Sequence, residues 1–139
     1  MSAIARFVVR GAPRPQGSMR AFARPGGRYP VVTHSTAGLL DWRRLVAQQA
    51  QDHAGGPAEG AVAVELHFRL TAPLRSKRKL PTTRPDLDKL VRAVLDALTG
   101  VVWRDDSQVV EIVAHKSYAL PGMSPGVDVV VTATEGRPS

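Results

Sequence analysis

Strict alternation of apolar and polar residues over positions 61–71 predicts the most regular strand of the chain. Its apolar residues all fall on one face, which we expect to lie on the core: Val62, Val64, Leu66, Phe68 and Leu70. Shorter alternating segments predict further strands at 3–10, 29–33, 109–119 and 127–133. Residues 121–126 read as a turn, which could make a hairpin of the last two strands.

Two segments follow the helical repeat instead. From about Asp86 to Leu98, apolar residues recur at every third or fourth position without a break, and Gly100 fits the position just past the helix end. A second helix is expected from a cap at Ser35 or Thr36 to about His53. Its apolar stripe would consist of Leu39, Trp42, Leu45, Val46 and Ala50.

These segments predict one small domain over residues 1–139, of the α/β (α+β) class. We expect a mixed β-sheet of about four to five strands packed with two main helices. Residues 11–28 are rich in Gly, Pro and Arg, which indicates a basic loop or an irregular hairpin. Residues 72–85 indicate an exposed basic loop, and residues 134–139 a frayed tail.

The charge balance indicates a polyanionic partner. Lys and Arg total 19 and Asp and Glu total 12, for a net charge of +7, while 43% hydrophobic residues suffice for a core. Neutralising phosphates with Lys and Arg releases counterions, so such an excess favours nucleic acid. The alternative is a basic protein whose charge serves only solubility.

Several kinds of chemistry are excluded or disfavoured. There is no cysteine, so thiol catalysis, disulfides and cysteine-based zinc sites are ruled out, and the four histidines show no ligand spacing. A metal site would therefore rely on oxygen ligands, which suits Mg²⁺, with Mn²⁺ as a second choice. No segment has the apolar length of a membrane span or the pattern of a signal peptide, so we expect a cytoplasmic protein.

Clustered carboxylates stand out against this basic background. Asp86 and Asp88 flank the start of the second predicted helix, and Asp105 and Asp106 follow after that helix and a turn. Carboxylates that converge from different elements repel one another unless a cation lies between them. Divalent ions held in this way are typical of phosphodiester hydrolysis.

The same residues allow a simpler interpretation. Asp86 could merely cap the helix, and Asp88, Arg92 and Asp96, spaced by four, could form ordinary surface ion pairs. In the catalytic interpretation Arg92 or Lys89 stabilises charge on the phosphate.

The motifs resemble those of one known family. Arg84-Pro85-Asp86-Leu87-Asp88, then Asp96-Ala97-Leu98 and Asp105-Asp106-Ser107-Gln108-Val109, are similar to the pattern of the RusA Holliday-junction resolvases. That pattern is Asp-x-Asp-Asn, a Lys four positions after the second Asp, Asp-Ala-Leu, and Asp-Asp-x-x-Val. Residues 11–18 and 29–42 also look like members of the family.

The resemblance implies a Mg²⁺-dependent homodimer that cleaves four-way DNA junctions by paired nicks in recombination and repair. It implies that Asp86, Asp88 and Asp106 are the essential metal-binding carboxylates, with Asp105 auxiliary and Asp96 structural. Arg92 stands where the family has a functional Lys, and Lys89 where it has Asn. Arg and Lys are not interchangeable at a geometric site, so the carboxylates are the firmer assignment.

The basic loops supply the candidate DNA contacts, which are Arg75, Lys77, Arg78, Lys79, Arg84, Lys89, Arg14 and Arg20. Trp42 is expected in the core. Trp103 is expected to pack in the core or an interface, with stacking on a base as the alternative. Two other functions fit the same residues: a non-catalytic binder of branched DNA, or a nuclease for flaps and other branched DNA.

Overall fold

The computed structural model describes residues 3–17, 19–23, 30–34, 38–75 and 77–134, with the backbone alone for 19–23 and 30–34. In chain order the elements are β1 (Ala3–Arg10), β2 (Met19–Ala23), β3 (Pro30–His34), α1 (Leu39–His53), β4 (Val62–Leu70), α2 (Leu87–Leu98), a 3₁₀ turn (Asp106–Gln108), β5 (Val109–Tyr118) and β6 (Gly126–Ala133). The predicted α+β class is confirmed.

The main sheet has four strands in the order β1-β6-β4-β5, and β2 and β3 form a separate antiparallel ribbon. β6 is antiparallel to both β1 and β4, whereas β5 is parallel to β4. The hairpin considered for residues 121–126 is wrong, because β4 lies between β5 and β6. The ribbon agrees with the irregular hairpin considered for residues 11–28, although residues 24–29 lie outside the described part of the chain.

β4, α2 and β5 form one crossover unit. Parallel neighbours need a long connection, and here residues 71–108 provide it, with α2 in the middle. α2 therefore runs antiparallel to the two strands that it connects. Its start lies at the carboxyl end of β5, and its end lies where β5 begins.

One face of the sheet carries the core. The predicted apolar face of β4 is buried, together with the inner residues of β1 and β6 and with Trp42 and Trp103. α1 packs on β1 and on α2, and α2 also packs on β5. Trp103 is fully buried, which supports core packing and leaves its ring unavailable for stacking on a base.

The start of α1 differs from the prediction. The N-cap position is Gly38, in the left-handed region at φ 77°, and it makes no side-chain cap. Ser35 and Thr36, the predicted caps, lie outside the described residues. Leu45 was predicted in the buried stripe but is 37% exposed, because it lies at the flank of the helix, beside Gly11.

The opposite face of the sheet is open and carries a polar cluster. His67 and His115 lie side by side with ring centres 4.2 Å apart. His67 Nε2 is hydrogen-bonded to Ser117 Oγ at 2.8 Å. Partial burial, and then the neighbouring His115, lower the pKa of His67. Arg69, itself buried, pairs with Asp128 at 2.6 Å.

The structure describes only the first residue of the predicted frayed tail. Thr134 is held by a hydrogen bond from its N–H to the Ala61 carbonyl at 2.9 Å, and the rest of the predicted frayed tail lies outside the described residues.

In the part of the chain that is described, no helix has the length and apolarity to cross a membrane.

Close packing of β1 on β6 makes Gly126 sensitive to substitution. A Cβ at this position would overlap the Val9 carbonyl oxygen, so Gly126→Ala is expected to lower the free energy of unfolding by roughly 1–3 kcal/mol. Urea unfolding measures the loss. Gly55→Ala is the control, since a Cβ there meets nothing within 4 Å; equal stability of the two variants would contradict the expectation.

Candidate active site

Asp86 and Asp88 project from the start of α2, and both are exposed. Asp86 occupies the N-cap position, as the capping interpretation expects, but its side chain makes no capping hydrogen bond. Its carboxylate lies 3.7 Å from Lys89 Nζ, with about half of each side chain exposed. Two carboxylates thus lie close in sequence at the helix start, and among the described residues Lys89 is the one cation that forms an ion pair with either of them.

Lys116, near the end of β5, fixes the backbone immediately before Asp86. Its ammonium donates hydrogen bonds to the carbonyl oxygens of Thr83 (2.9 Å) and Pro85 (2.8 Å). The basic loop between β4 and α2 is therefore tied to the sheet at the point where it enters the helix.

The predicted DNA contacts of that loop are exposed, as expected: Arg75, Lys77, Arg78, Lys79 and Arg84. The loop follows β4 and precedes α2, so it belongs to the same end of the molecule as Asp86 and Asp88. Arg20 lies in β2, and its side chain is outside the described part of the structure.

The segment after β1 reaches the same end. The Gln16 N–H donates to the Lys89 carbonyl in the first turn of α2 (2.9 Å), and the Arg14 side chain lies beside Gly38 at the start of α1. A groove of about 440 Å³ adjoins Gln16 and the first turn of α1. Its basic residues, Arg43 and Arg44, add positive charge that the sequence prediction did not assign to the site.

Arg92 lies one turn after Asp88 on α2 and is exposed. Among the described residues, no ion pair joins Asp88, Arg92 and Asp96. The alternative of ordinary surface pairing along this line is therefore wrong. Arg92 remains available to an external anion, although its predicted catalytic role stays a prediction.

Asp105 and Asp106 lie in the short turn before β5. The Asp105 carboxylate accepts a hydrogen bond from the Ser107 N–H at 2.8 Å. That bond, followed by one from the Ser107 side chain, lowers the pKa of Asp105. Asp105 thus has a local structural role as an N-cap, alongside its predicted auxiliary role.

Gln108 anchors this turn with its whole side-chain amide. Its Oε1 accepts from the N–H groups of Arg104 (2.7 Å) and Asp105 (2.9 Å). Its Nε2 donates to the carbonyl oxygens of Ala58 (2.8 Å) and Gly60 (2.9 Å). These bonds fix the acidic turn against the segment that leads into β4.

Asp106 is linked to the end of α2 through Thr99. The Thr99 hydroxyl accepts a hydrogen bond from Trp103 Nε1 at 3.0 Å. The hydroxyl proton lies between two acceptors, the Leu95 carbonyl and the Asp106 carboxylate. The Asp106 side chain is therefore positioned by residues at the C-terminal end of α2.

Within one chain the two acidic pairs lie at opposite ends of α2. The helix has twelve residues, which corresponds to roughly 18 Å at 1.5 Å per residue. The path along β5 agrees, since seven residues separate its start from Lys116, roughly 23 Å. Consistently, the described residues contain no group of three or more His, Asp or Glu side chains that could hold a metal ion.

Comparison with known proteins places the chain in a family. The profile of Endodeoxyribonuclease RusA matches residues 11–132, which include both acidic pairs, both helices and, of the main sheet, β4, β5 and nearly all of β6, but not β1. The chain belongs to the RusA family. The RusA assignment implies an endodeoxyribonuclease that acts on branched DNA. The chain is also similar to an uncharacterised protein of Bacillus subtilis (strain 168), YqaN, with 31% identity over 91% of this chain and 94% of that protein.

Several residues that shape this RusA site were not identified from the sequence. Lys116 and Gln108 bond to backbone carbonyls 31–50 positions away, a relation that leaves no local pattern. The only indication of a role for Thr99 in the sequence is its position directly after the predicted helix. Arg43 and Arg44 were visible as charges lying off the apolar stripe of α1.

Removing the Lys116 ammonium tests its structural role. Lys116→Met is expected to lower the free energy of unfolding by up to about 2 kcal/mol, because two charge-assisted hydrogen bonds are lost from a partly exposed site. Urea unfolding would measure this loss. Lys77→Met, which alters an exposed lysine of the neighbouring loop, is the control and should change stability by less than about 0.5 kcal/mol; similar values for both would contradict the role of Lys116.

Proposed function

We propose that this RusA-family protein is a divalent-metal-dependent endonuclease that resolves four-way DNA junctions by paired nicks, acting as a homodimer. The observation that carries the proposal is the pair of exposed, uncapped carboxylates, Asp86 and Asp88, at the cationic end of the molecule. A negative site inside a positive surface suits a metal ion and a phosphate together.

The residues at the start of α2 fit Mg²⁺. Mg²⁺ is usually held by one or two carboxylates, with substrate phosphates and water completing the shell. Asp86 and Asp88 provide two such carboxylates, and the Asp86 side chain makes no capping hydrogen bond to the helix backbone. The chemistry that a divalent cation would supply there is polarisation of a phosphoryl oxygen.

The chain's own residues then handle the DNA strand. The N-terminal end of α2 carries a partial positive charge that favours a phosphate oxygen. The exposed loop residues Arg75, Lys77 and Lys79 neutralise neighbouring phosphates and fix the strand. Arg92, one turn from Asp88, is positioned to stabilise negative charge that develops on the scissile phosphate.

The distance between the two acidic pairs within one chain has a consequence for the oligomeric state. If Asp106 acts with Asp86 and Asp88 at one phosphate, the three cannot come from one chain, since roughly the length of α2 lies between them. A second copy related by two-fold symmetry would supply the missing Asp106 and would create two equivalent sites. Two sites match the two strands that are nicked in a junction.

Neutralising the carboxylates tests the chemistry. Asp86→Asn, Asp88→Asn and Asp106→Asn are each expected to reduce Mg²⁺-dependent nicking of a synthetic four-way junction by about 100-fold or more. Binding to the junction should persist, because the basic loops remain. Asp96→Asn, on the same helix but outside the proposed site, is the matched control and should keep its activity.

Comparing different DNA substrates tests which branched structure the protein prefers. The same assay with duplex, flap and single-stranded DNA should show a preference for the junction, whereas faster cleavage of flaps would assign a different branched substrate. Nicking that survives all three substitutions would refute the assignment. Junction binding with no nicking under any metal condition would favour a non-catalytic binding module.

A mixed dimer tests whether Asp106 comes from the partner. Asp88→Asn and Asp106→Asn chains carrying different tags are co-expressed and purified through both tags. If the site is shared between copies, one of its two sites is intact, so single nicking should return to about half of the unmodified activity per dimer, without paired cleavage. A mixed dimer as inactive as its parents would show that each chain builds its own site.

A further inference from the structure

The open face of the sheet has a hollow of about 420 Å³ between two arginines, Arg10 and Arg69. Arg10 ends β1 and Arg69 lies near the end of β4, and both have Gly126 of β6 as their cross-strand partner. Cross-strand partners point to the same face of a sheet. Because glycine has no side chain, β6 does not fill the space between the two arginines at this position.

The spacing of these arginines suits one small anion held from both sides. β6 alone separates their strands, so their Cα atoms lie roughly 10 Å apart, at two strand spacings. Two long side chains that approach from opposite sides of such a gap can contact the same group. The planar guanidinium forms paired hydrogen bonds to phosphate oxygens, which makes a phosphate the best match.

The protein itself fixes the Arg69 side chain. Arg69 is 7% exposed, its Nη1 donates to Asp128 at 2.6 Å, and its Nε donates to the Ser124 carbonyl at 3.5 Å. Its Nη2 lies over Gly126, 3.2 Å from the position that a Cβ there would take. A guanidinium held in one orientation is preorganised for a ligand, and Nη2 is the group that the hollow can use.

The charged groups that line the hollow leave one positive charge. They are Arg10, Arg69 and Asp128, two arginines against one aspartate, and the Asp128 carboxylate is paired with Arg69. Arg10 is exposed, and within the described part of the chain it forms no ion pair. An anion of one negative charge, such as a phosphodiester group, would balance the hollow.

The rim of the hollow comes from the connection between β5 and β6. Its backbone is tied to both flanking strands, since the Ala119 N–H donates to the Leu70 carbonyl (2.8 Å) and the Gly11 N–H to the Pro125 carbonyl (3.0 Å). Met123 on this rim is 48% exposed and offers apolar surface. Such a rim suits the sugar carbons that adjoin a phosphate in a nucleic-acid strand.

The hollow lies at the same end of the sheet as the proposed cleavage site. β1 and β4 run in the same direction, since both are antiparallel to β6. Both arginines are therefore at the end where β4 leads into the basic loop and Asp86, but on the face of the sheet opposite to α2. A DNA duplex is wider than one sheet, so DNA bound at this end can contact both faces.

We infer that this hollow holds a phosphodiester group of the DNA, other than the scissile one, between Arg10 and Arg69. The inference rests on the proposed function for DNA as the source of the phosphate. Contacts of this kind carry no sequence information and fix the orientation of DNA on a protein. The hollow thus orients the DNA on the face of the sheet that α2 does not reach.

The salt dependence of DNA binding tests this contact, with Arg6 as the matched control. Arg6 and Arg10 lie on the same face of β1 and are both exposed, but of the two only Arg10 lines the hollow. Arg10→Gln is expected to weaken binding of a four-way junction roughly 5- to 10-fold. It should also lower the slope of log K against log salt by about 1, because one phosphate contact is lost. Arg6→Gln should change both quantities much less, as measured by fluorescence anisotropy without divalent metal.

A neutral phosphate analogue identifies the bound group. Junctions that carry a methylphosphonate at one position at a time are bound to the unmodified protein and to Arg10→Gln. One substitution away from the nicked bond should weaken binding of the unmodified protein as much as Arg10→Gln does, and should not weaken the variant further. Non-additivity of this kind assigns that phosphate to Arg10. Additive losses at every position would contradict the inference.

Three other results would overturn the inference. Arg10→Gln without effect on junction binding would remove the contact, and equal effects of Arg6→Gln and Arg10→Gln would show diffuse charge along β1 instead of a site. If Arg10→Gln abolishes binding of inorganic phosphate, followed by phosphorus NMR, but leaves junction affinity unchanged, the hollow serves a free phosphate compound and not DNA.

These binding measurements do not depend on cleavage. A lowered salt slope in Arg10→Gln, together with an unmodified protein that nicks no junction, would refute the proposed function alone. Nicking by the unmodified protein, together with unchanged junction binding in Arg10→Gln, would refute this phosphate site alone.

Discussion

The crossover through α2, which connects two parallel strands of the sheet, decides where the carboxylates of this protein lie. Five residues of α2 are buried, Leu90, Ala93, Val94, Ala97 and Leu98, and they hold the helix along its whole length. A helix fixed in this way is a rigid spacer of defined length. The acidic residues before and after it therefore share one flank of the molecule but cannot share one metal ion within a chain.

Charge gives the two ends of this spacer different roles. The start of α2 combines two carboxylates with a helix N-terminus, an exposed basic loop and the arginines around the α1 groove. Under the proposed function this end would attract a phosphate chain and still offer oxygen ligands to a metal ion. The far end is built around one turn, in which Asp105 is committed to a cap and Asp106 is positioned by Thr99. Under the proposed function each end would carry part of the nuclease site, and a symmetric pair of chains would complete it.

Three polar side chains hold the acid-bearing segments in place. Lys116 anchors the entry to α2, Gln108 anchors the acidic turn, and Thr99 connects that turn to the end of the helix. Each side chain uses most of its hydrogen-bonding capacity on neighbouring groups, and partners of this kind limit the motion of a site. The positions of the carboxylates are thus fixed by the residues around them as well as by the segments that carry them.

Local pattern was sufficient for much of the fold. Alternation located β4, the helical repeat located α2 to within one residue of its start, and Gly100 marked its end at φ 89°. The acidic motifs and their basic surroundings were equally visible, because they are properties of residue type and spacing. The prediction failed at the start of α1, where Gly38 takes the N-cap position, and at the supposed hairpin of β5 and β6, where the outcome depended on β4, a partner distant in the sequence.

The sequence by itself determined which residues carry charge, which faces are apolar and which family the motifs resemble. Only the tertiary structure decided that β5 enters the sheet parallel to β4, and this arrangement sends the two acidic pairs to opposite ends of α2. The physical reason is that a carboxylate's neighbours are set by how strands pair across the sheet. Strand order depends on contacts between residues that are far apart in the sequence, and the spacing of residues along the chain does not indicate it.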